Sequence, residues 1–180
     1  MKSVFVLVFS FILASCGGGS SSGGAPDHTA NPGGRDPANV ALESEGASVS
    51  ATYDEVGAEY VIDGSTSTSF FWSANITSDS LTIDFGSVFA LSEITIYTND
   101  LSFSTSAPSK VVEISQDASN WLTTSQITGG DVPCVNSNTG NGRMVCEFGA
   151  VQSARYLRLT ITAENSPELI QIYEIEAVGQ

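Results

Sequence analysis

Short stretches in which apolar and polar side chains alternate, separated by turn residues, predict an all-β chain folded as an antiparallel, jelly-roll-like β-sandwich. Leu81, Ile83 and Phe85 alternate with polar neighbours, and the pattern recurs at Ile94 and Ile96, at Val112 and Ile114, and at Leu157, Leu159 and Ile161. No stretch holds a helical period for three turns. Ser, Thr, Val and Ile abound, which suits a pleated, half-buried surface better than a helix.

Residues 1–15 read as a targeting signal. Lys2 supplies a positive start, Val4 to Leu13 is an apolar run, and small residues close it at Leu13-Ala-Ser-Cys16. The run falls short of the about 20 residues a membrane span needs. The tetrapeptide looks like a bacterial lipobox, which implies cleavage before Cys16 and lipidation of its thiol and new amino group. Two or more acyl chains would anchor stably, at about 0.8 kcal/mol per buried methylene. An ordinary secretory signal with an incidental cysteine is the alternative. Residues 16–39 then form a linker: Gly17 to Gly24 is pure Gly and Ser, and Pro26, Pro32 and Pro37 block regular structure beyond it. His28, the only histidine, sits in this linker. The expected domain, residues 40–180, therefore has no imidazole for acid–base work or metal ligation.

The 180-residue chain carries a formal charge of −14, and the basic side chains of its domain are Lys110, Arg143, Arg155 and Arg158 alone. Nucleic acid and anionic lipid heads would be repelled, so contact with a membrane is expected through the lipid anchor only. Neutral glycans, basic partners and divalent cations remain compatible, as does plain solubility in a salty medium. Cys134 and Cys146 are expected to pair in an oxidising exterior. Closing the turn-rich loop between them would remove on the order of 3 kcal/mol of unfolded-state entropy. A reactive thiol pair is the sharper alternative, but the spacing is not that of a redox motif and Arg143 is the only basic neighbour. Near the C-terminus the alternation slips: Ile170 and Ile172 share one parity, Tyr173, Ile175 and Ala177 the other. A bulge near Tyr173 would account for this and would re-aim Glu174.

The stretch Tyr60-Val-Ile-Asp-Gly-Ser-Thr-Ser-Thr-Ser-Phe-Phe-Trp72, followed by Leu81-Thr-Ile-Asp-Phe-Gly86, resembles the opening half of the discoidin-like, coagulation-factor (F5/8) type C family. That family has a galactose-binding-like sandwich and includes many carbohydrate-binding modules. Later segments agree in order: Leu91 to Tyr97, Lys110 to Asp117 with Asn120-Trp121, Ala154 to Leu159, and Ile172 to Glu176. The resemblance implies a structural calcium ion tying an early loop to the last strand. By motif, Asp63 would be the first acidic ligand, Ser65 stands where Asp or Asn is usual, and Thr68 would give a hydroxyl. Tyr60 and Tyr173 would give carbonyls, and Glu174 the second carboxylate. Calcium favours such mixed hard oxygens, and Ser65 removes a charge. The plain alternative is that Asp63-Gly64 is only a turn.

Sugar-binding relatives often carry His after the early aromatic and Arg with Asn in a later loop. Here Phe71 or Ser73 stands at the first place, and the loop Thr98 to Ala107 has no Arg. The galactose-type constellation is absent, leaving Phe103, Asn99, Asp100, Asn75 and Tyr53 as ligand-binding candidates. Duller roles exist: Asn99 and Asp100 are favoured turn residues, Phe70 and Trp72 suit a core, and Trp121 recurs in the family as a packing residue.

The expectation is a non-catalytic, surface-tethered carbohydrate-binding module of a bacterial lipoprotein, in the cell envelope and facing outward from the outer membrane. A protein-binding or envelope-structural adhesion module docking a basic envelope protein is the second reading. An enzyme is the third. The acids sit on turns and outward strand positions without an organised pair, and the domain has no Gly-x-Ser-x-Gly, no Walker loop and no histidine-based nucleophile.

Overall fold

The computed structural model describes residues 37–52, 56–73, 78–99, 110–127, 134–137, 142–162 and 169–180, all within the compact unit Asn31–Gln180. Cys16, the signal and most of the linker lie outside the described residues. Nine strands are present among the described residues: β1 (Ala38–Asn39), β2 (Ser48–Ala51), β3 (Phe70–Ser73), β4 (Ser78–Thr98), β5 (Lys110–Ser115), β6 (Leu122–Thr123), β7 (Val135–Ser137), β8 (Arg143–Thr162) and β9 (Leu169–Gly179). Pairing begins at Ala38, two residues before the expected domain start. The only α-helix among the described residues is a four-residue turn, Thr124–Ile127.

Every ladder is antiparallel, and the longest joins β4 to β8 from Ser78↔Thr162 to Tyr97↔Arg143. Its register breaks between Asp84 and Phe89 and again between Leu91 and Glu93. These breaks divide both strands into two halves that serve two layers. The first layer runs β2, β4 (first half), β8 (second half), β5, β6. The second runs β9, β4 (second half), β8 (first half), β7, with β1 and β3 in succession along the far side of β9. Gly86 allows the turn: its φ is +79°, and a Cβ there would press on the Gly46 carbonyl at 3.3 Å.

One core fills the space between the layers. Leu81, Ile83, Phe85, Val112, Ile114, Leu157, Leu159 and Ile161 are buried in the first layer. Ile94, Ile96, Ile170, Ile172, Ile175 and Ala177 are buried in the second. The alternation read from the sequence is thus the burial pattern observed, with Tyr156, Arg158 and Thr160 turned outward. Cys134 and Cys146 form a disulfide that ties the start of β7 to β8.

The outer face of the first layer is laced by paired charges. Arg155 forms a two-pronged pair with Asp84, both contacts at 2.8 Å, and holds the Asp84 carboxyl below its usual range. Arg158 meets Glu113 at 2.8 Å and lies 3.8 Å from the centre of the Trp121 ring, which is half-buried as a packing residue should be.

Truncating a core residue should cost far more than truncating an exposed one. Ile94→Ala should lose about 2–5 kcal/mol, whereas Leu122→Ala, at a side chain 50% exposed, should stay within about 0.5 kcal/mol. Urea denaturation midpoints measure both.

Candidate functional site

Six residues were expected to hold a cation, and the structure gathers four of their side chains. The 3₁₀ turn Ala58–Val61 buries Ala58 and Val61 and leaves Tyr60 exposed at the entrance to the loop. Beyond it, the Asp63 Oδ1 accepts the Ser65 N–H at 2.8 Å, and the Thr68 hydroxyl lies 2.7 Å from Asp63 Oδ2 and 3.0 Å from the Ser65 carbonyl. The Ser65 hydroxyl accepts the Ser67 N–H at 3.2 Å. On β9, Tyr97 pairs with Glu174 and Thr98 with Ile172, so Tyr173 is the extra residue of a bulge. That bulge turns Glu174 into the interior, where it is 2% exposed. Tyr173 itself stays half-exposed, off the inward side that it shares by parity with Ile175 and Ala177.

The Gly64 N–H donates to Glu174 Oε2 at 3.2 Å, fastening loop to strand. Glu174 Oε1 is buried with no hydrogen-bond partner. Burial raises the Glu174 pKa to about 7, helped by the nearby Asp63 and Glu176 carboxylates and opposed by the Gly64 and Ser65 N–H groups. An orphaned buried carboxylate oxygen beside a second carboxylate, a hydroxyl and exposed carbonyl-bearing turns is what a hard divalent cation would satisfy. Among the described residues no three His, Cys, Asp or Glu side chains gather. Any oxygens offered to a cation beyond the two carboxylates would therefore have to come from hydroxyl and main-chain groups.

The acids do not all lie outward, as the sequence suggested. Asp79 is 3% exposed because it shares the inward side of its strand, and Glu174 is 2% exposed at the bulge, where the loop at Gly64 meets it. Asp79 accepts hydrogen bonds from the Thr52 hydroxyl and the Ser80 N–H. Lys110, also buried, sits across β8 from it, since Asp79 and Lys110 both pair with Ile161. Sequence parity carried this signal: Asp79 is in phase with Leu81, and Lys110 with Val112.

Of the ligand-binding candidates, Phe103, Asp100, Asn75 and Tyr53 lie outside the described residues. Asn99 is exposed, and its main chain and side chain clamp β9: its N–H donates to the Gln171 carbonyl at 3.1 Å, and its Oδ1 accepts the Gln171 N–H at 2.7 Å. The chain positions that flank the other four share one end of the sandwich. Thr52 meets Ser80 near the start of β4, Ser73 pairs with Leu169, Ser78 with Thr162, and Lys110 with Ile161. Ser73 and Ser78 are five residues apart, so the ends of the two layers they occupy lie within about 19 Å.

The F5/8 type C domain profile matches residues 44–175, most of the described chain. The chain belongs to the F5/8 type C domain family. Among solved structures, this F5/8 type C chain is similar to CpGH89CBM32-6 produced by Clostridium perfringens, at 20% identity and TM-score 0.56, covering 79% of this chain and 100% of that one. It is similar to chitosan-binding module 1 of a chitosanase/glucanase from Paenibacillus sp. IK-5, at 21% identity and TM-score 0.54, covering 78% and 98%. The family 32 CBM from C. perfringens NanJ, solved with galactose, matches at 17% identity and TM-score 0.53, covering 77% and 96%. At these identities the likeness is one of fold, an antiparallel β-sandwich shared with these modules. No curated relative matches the chain.

The raised Glu174 gives a signed prediction for protein freed of divalent cations. Its folded state keeps the proton up to about pH 7, whereas the unfolded chain releases it near 4.5. The native state binds more protons across that window, so stability should fall as pH rises through it. Thermal unfolding in chelator should show the decline, and Glu174→Gln should flatten it. An equal slope in both proteins would contradict the assignment.

Proposed function

We propose that this protein is a non-catalytic carbohydrate-binding module, held to a bacterial cell envelope by an acylated Cys16 through its Gly/Ser linker. The observation that carries the reading is membership of the F5/8 type C family, supported by the place of the described residues that flank Tyr53, Asn75, Asp100 and Phe103 in the chain: Thr52, Ser73, Ser78, Asn99 and Lys110 all stand at or beside strand ends. Loops at one end can vary without disturbing the packed layers, and so can be shaped to a ligand. Asn99, braced against β9, is the last described residue before the stretch that carries Asp100 and Phe103. Sugar rings are bound by aromatic faces and a few directed polar groups, a composition these residue types supply. Phe103 is the proposed anchor.

Within this reading, Asp63, Thr68 and Glu174 would hold a calcium ion with their side chains. Tyr60 and Tyr173 would add carbonyl oxygens, and Ser65 a neutral oxygen where a charged one would bind more tightly. Bound there, the ion would supply charge that satisfies the buried Glu174 and fastens the loop after Val61 to β9. The role is structural: it sets the loop from which β3 starts.

Purified protein should be retained by members of a panel of plant, algal and host polysaccharides, and Phe103→Ala should weaken retention without moving the melting temperature. Silence across the panel, together with specific capture of a basic envelope protein, would sink the glycan reading. Chelator should lower the melting temperature and calcium restore it, because a ligand held only by the native state stabilises it by mass action. Asp63→Ala should mimic chelation. A melting curve indifferent to chelator would remove the ion.

A further inference from the structure

The outer face of the second layer carries a row of rings. Phe70 is buried on β3, so Phe71 faces outward, and it is 51% exposed. Phe71 pairs with Gln171 on β9, Tyr173 follows on the same outward side, and its bulge sets it beside Tyr97 on β4. Both phenols are pinned. The Tyr173 hydroxyl donates to Gln171 Oε1 at 3.1 Å, and the Gln171 amide in turn donates to the Ser69 hydroxyl at 2.8 Å. The Tyr97 hydroxyl donates to Glu176 at 3.2 Å. Rings held this way lose little freedom when something lies across them.

We infer that this face is a second, extended binding surface that takes a cationic polysaccharide, a chain of amino sugars, across Phe71, Tyr173 and Tyr97. The inference rests on the carbohydrate-binding reading above and adds a surface and a ligand class to it. Three observations select the occupant. The rings lie on three successive strands spaced about 4.8 Å apart, a platform longer than one pyranose and therefore suited to a chain. Its surroundings carry more acid than base: Glu176 and Glu93 stand on it, and Arg143, its one cation among the described residues, lies 3.7 Å from Glu93 and 6.0 Å from the centre of the Tyr97 ring, at the end of the row away from Phe71. The domain's overall formal charge of −14 adds to that field and opposes anionic polymers.

The platform also runs on from the loop end. Gln171, between Phe71 and Tyr173, is the residue clamped by Asn99, where the segment bearing Phe103 departs. A basic protein is the poorer fit, because protein anchors sink into desolvated pockets. A cleft of about 270 Å³ does occur in the domain, but between Ile114 and Leu122 in the first layer, not on this face.

Affinity electrophoresis and titration calorimetry would compare a soluble glucosamine polymer, its N-acetylated neutral counterpart and an anionic uronic-acid polymer. The native protein should prefer the glucosamine polymer, and raised salt should erode that preference. Phe71→Ala should weaken polymer binding about tenfold with an unchanged melting temperature and little effect on a trisaccharide. Glu176→Gln, which keeps an acceptor for Tyr97, should reduce the preference for the cationic polymer. Val151→Ala, equally exposed at 55% on another surface, should change nothing. Full polymer affinity in Phe71→Ala overturns the platform and leaves the loop-end function standing. Equal binding of the neutral and cationic polymers overturns the ligand class. Failure of the native protein to bind any polysaccharide overturns this inference and the carbohydrate reading together.

Discussion

The joint bending of β4 and β8 is the constraint on which the rest of the domain depends. Neither strand ends where it changes layer; the two stay paired across breaks at Asp84/Phe89 and Leu91/Glu93. Staying paired keeps the backbone hydrogen-bonded through a corner that would otherwise expose unsatisfied groups. Asp84, just before the corner, is fixed twice, by the two-pronged Arg155 pair and by the Gly86 N–H at 2.8 Å. Because both strands turn back at the same place, each enters and leaves at the opposite end.

The bulge at Tyr173 is the second decisive local event, and it links strand chemistry to the site. One unmatched residue reverses the phase of β9, so Ile172 and Ile175 are both buried with Glu174 also turned inward between them. A carboxylate would not be placed there for packing, since an uncompensated buried charge is costly. Its neighbours explain part of its tolerance: one oxygen has the Gly64 N–H, the other has nothing. The same bulge sets Tyr173 on the outer face beside Tyr97. A single inserted residue therefore shapes both an interior oxygen site and an exterior ring row.

Much of this was legible in the sequence because it depends on parity alone. The inward residues of each strand, the outward Tyr156-x-Arg158-x-Thr160 series and the slip at Tyr173 follow from counting by twos. The buried Asp79 and Lys110 were legible by the same count, but their charge argued for the surface and parity won. What could not be read was anything set by pairing between distant segments. Leu81 to Phe85 and Leu91 to Tyr97 look like two separate strands, and only their common partner β8 makes them one. Phe71 beside Gln171, at a separation of a hundred residues, has no local signal. The pairing of Arg143, Arg155 and Arg158 with carboxylates and rings is likewise a product of register, not of composition.

Those pairings decide what kind of surface the domain presents. Arg155 and Arg158 are each within 2.8 Å of a carboxylate, Arg143 is 3.7 Å from one, and Lys110 is buried. The acidic excess is therefore not offset by exposed unpaired arginine on the sheet faces, and the field outside is set by the remaining carboxylates. Such a field would disfavour anionic chains by repulsion. In the reading proposed above, affinity would then come from short-range groups: loop residues and rings on the outer face. Both places are free of core duty, since outward strand positions, like loops, can change without altering the packing beneath them. A fold with its interior fixed by parity can thus carry more than one recognition surface on the same rigid frame.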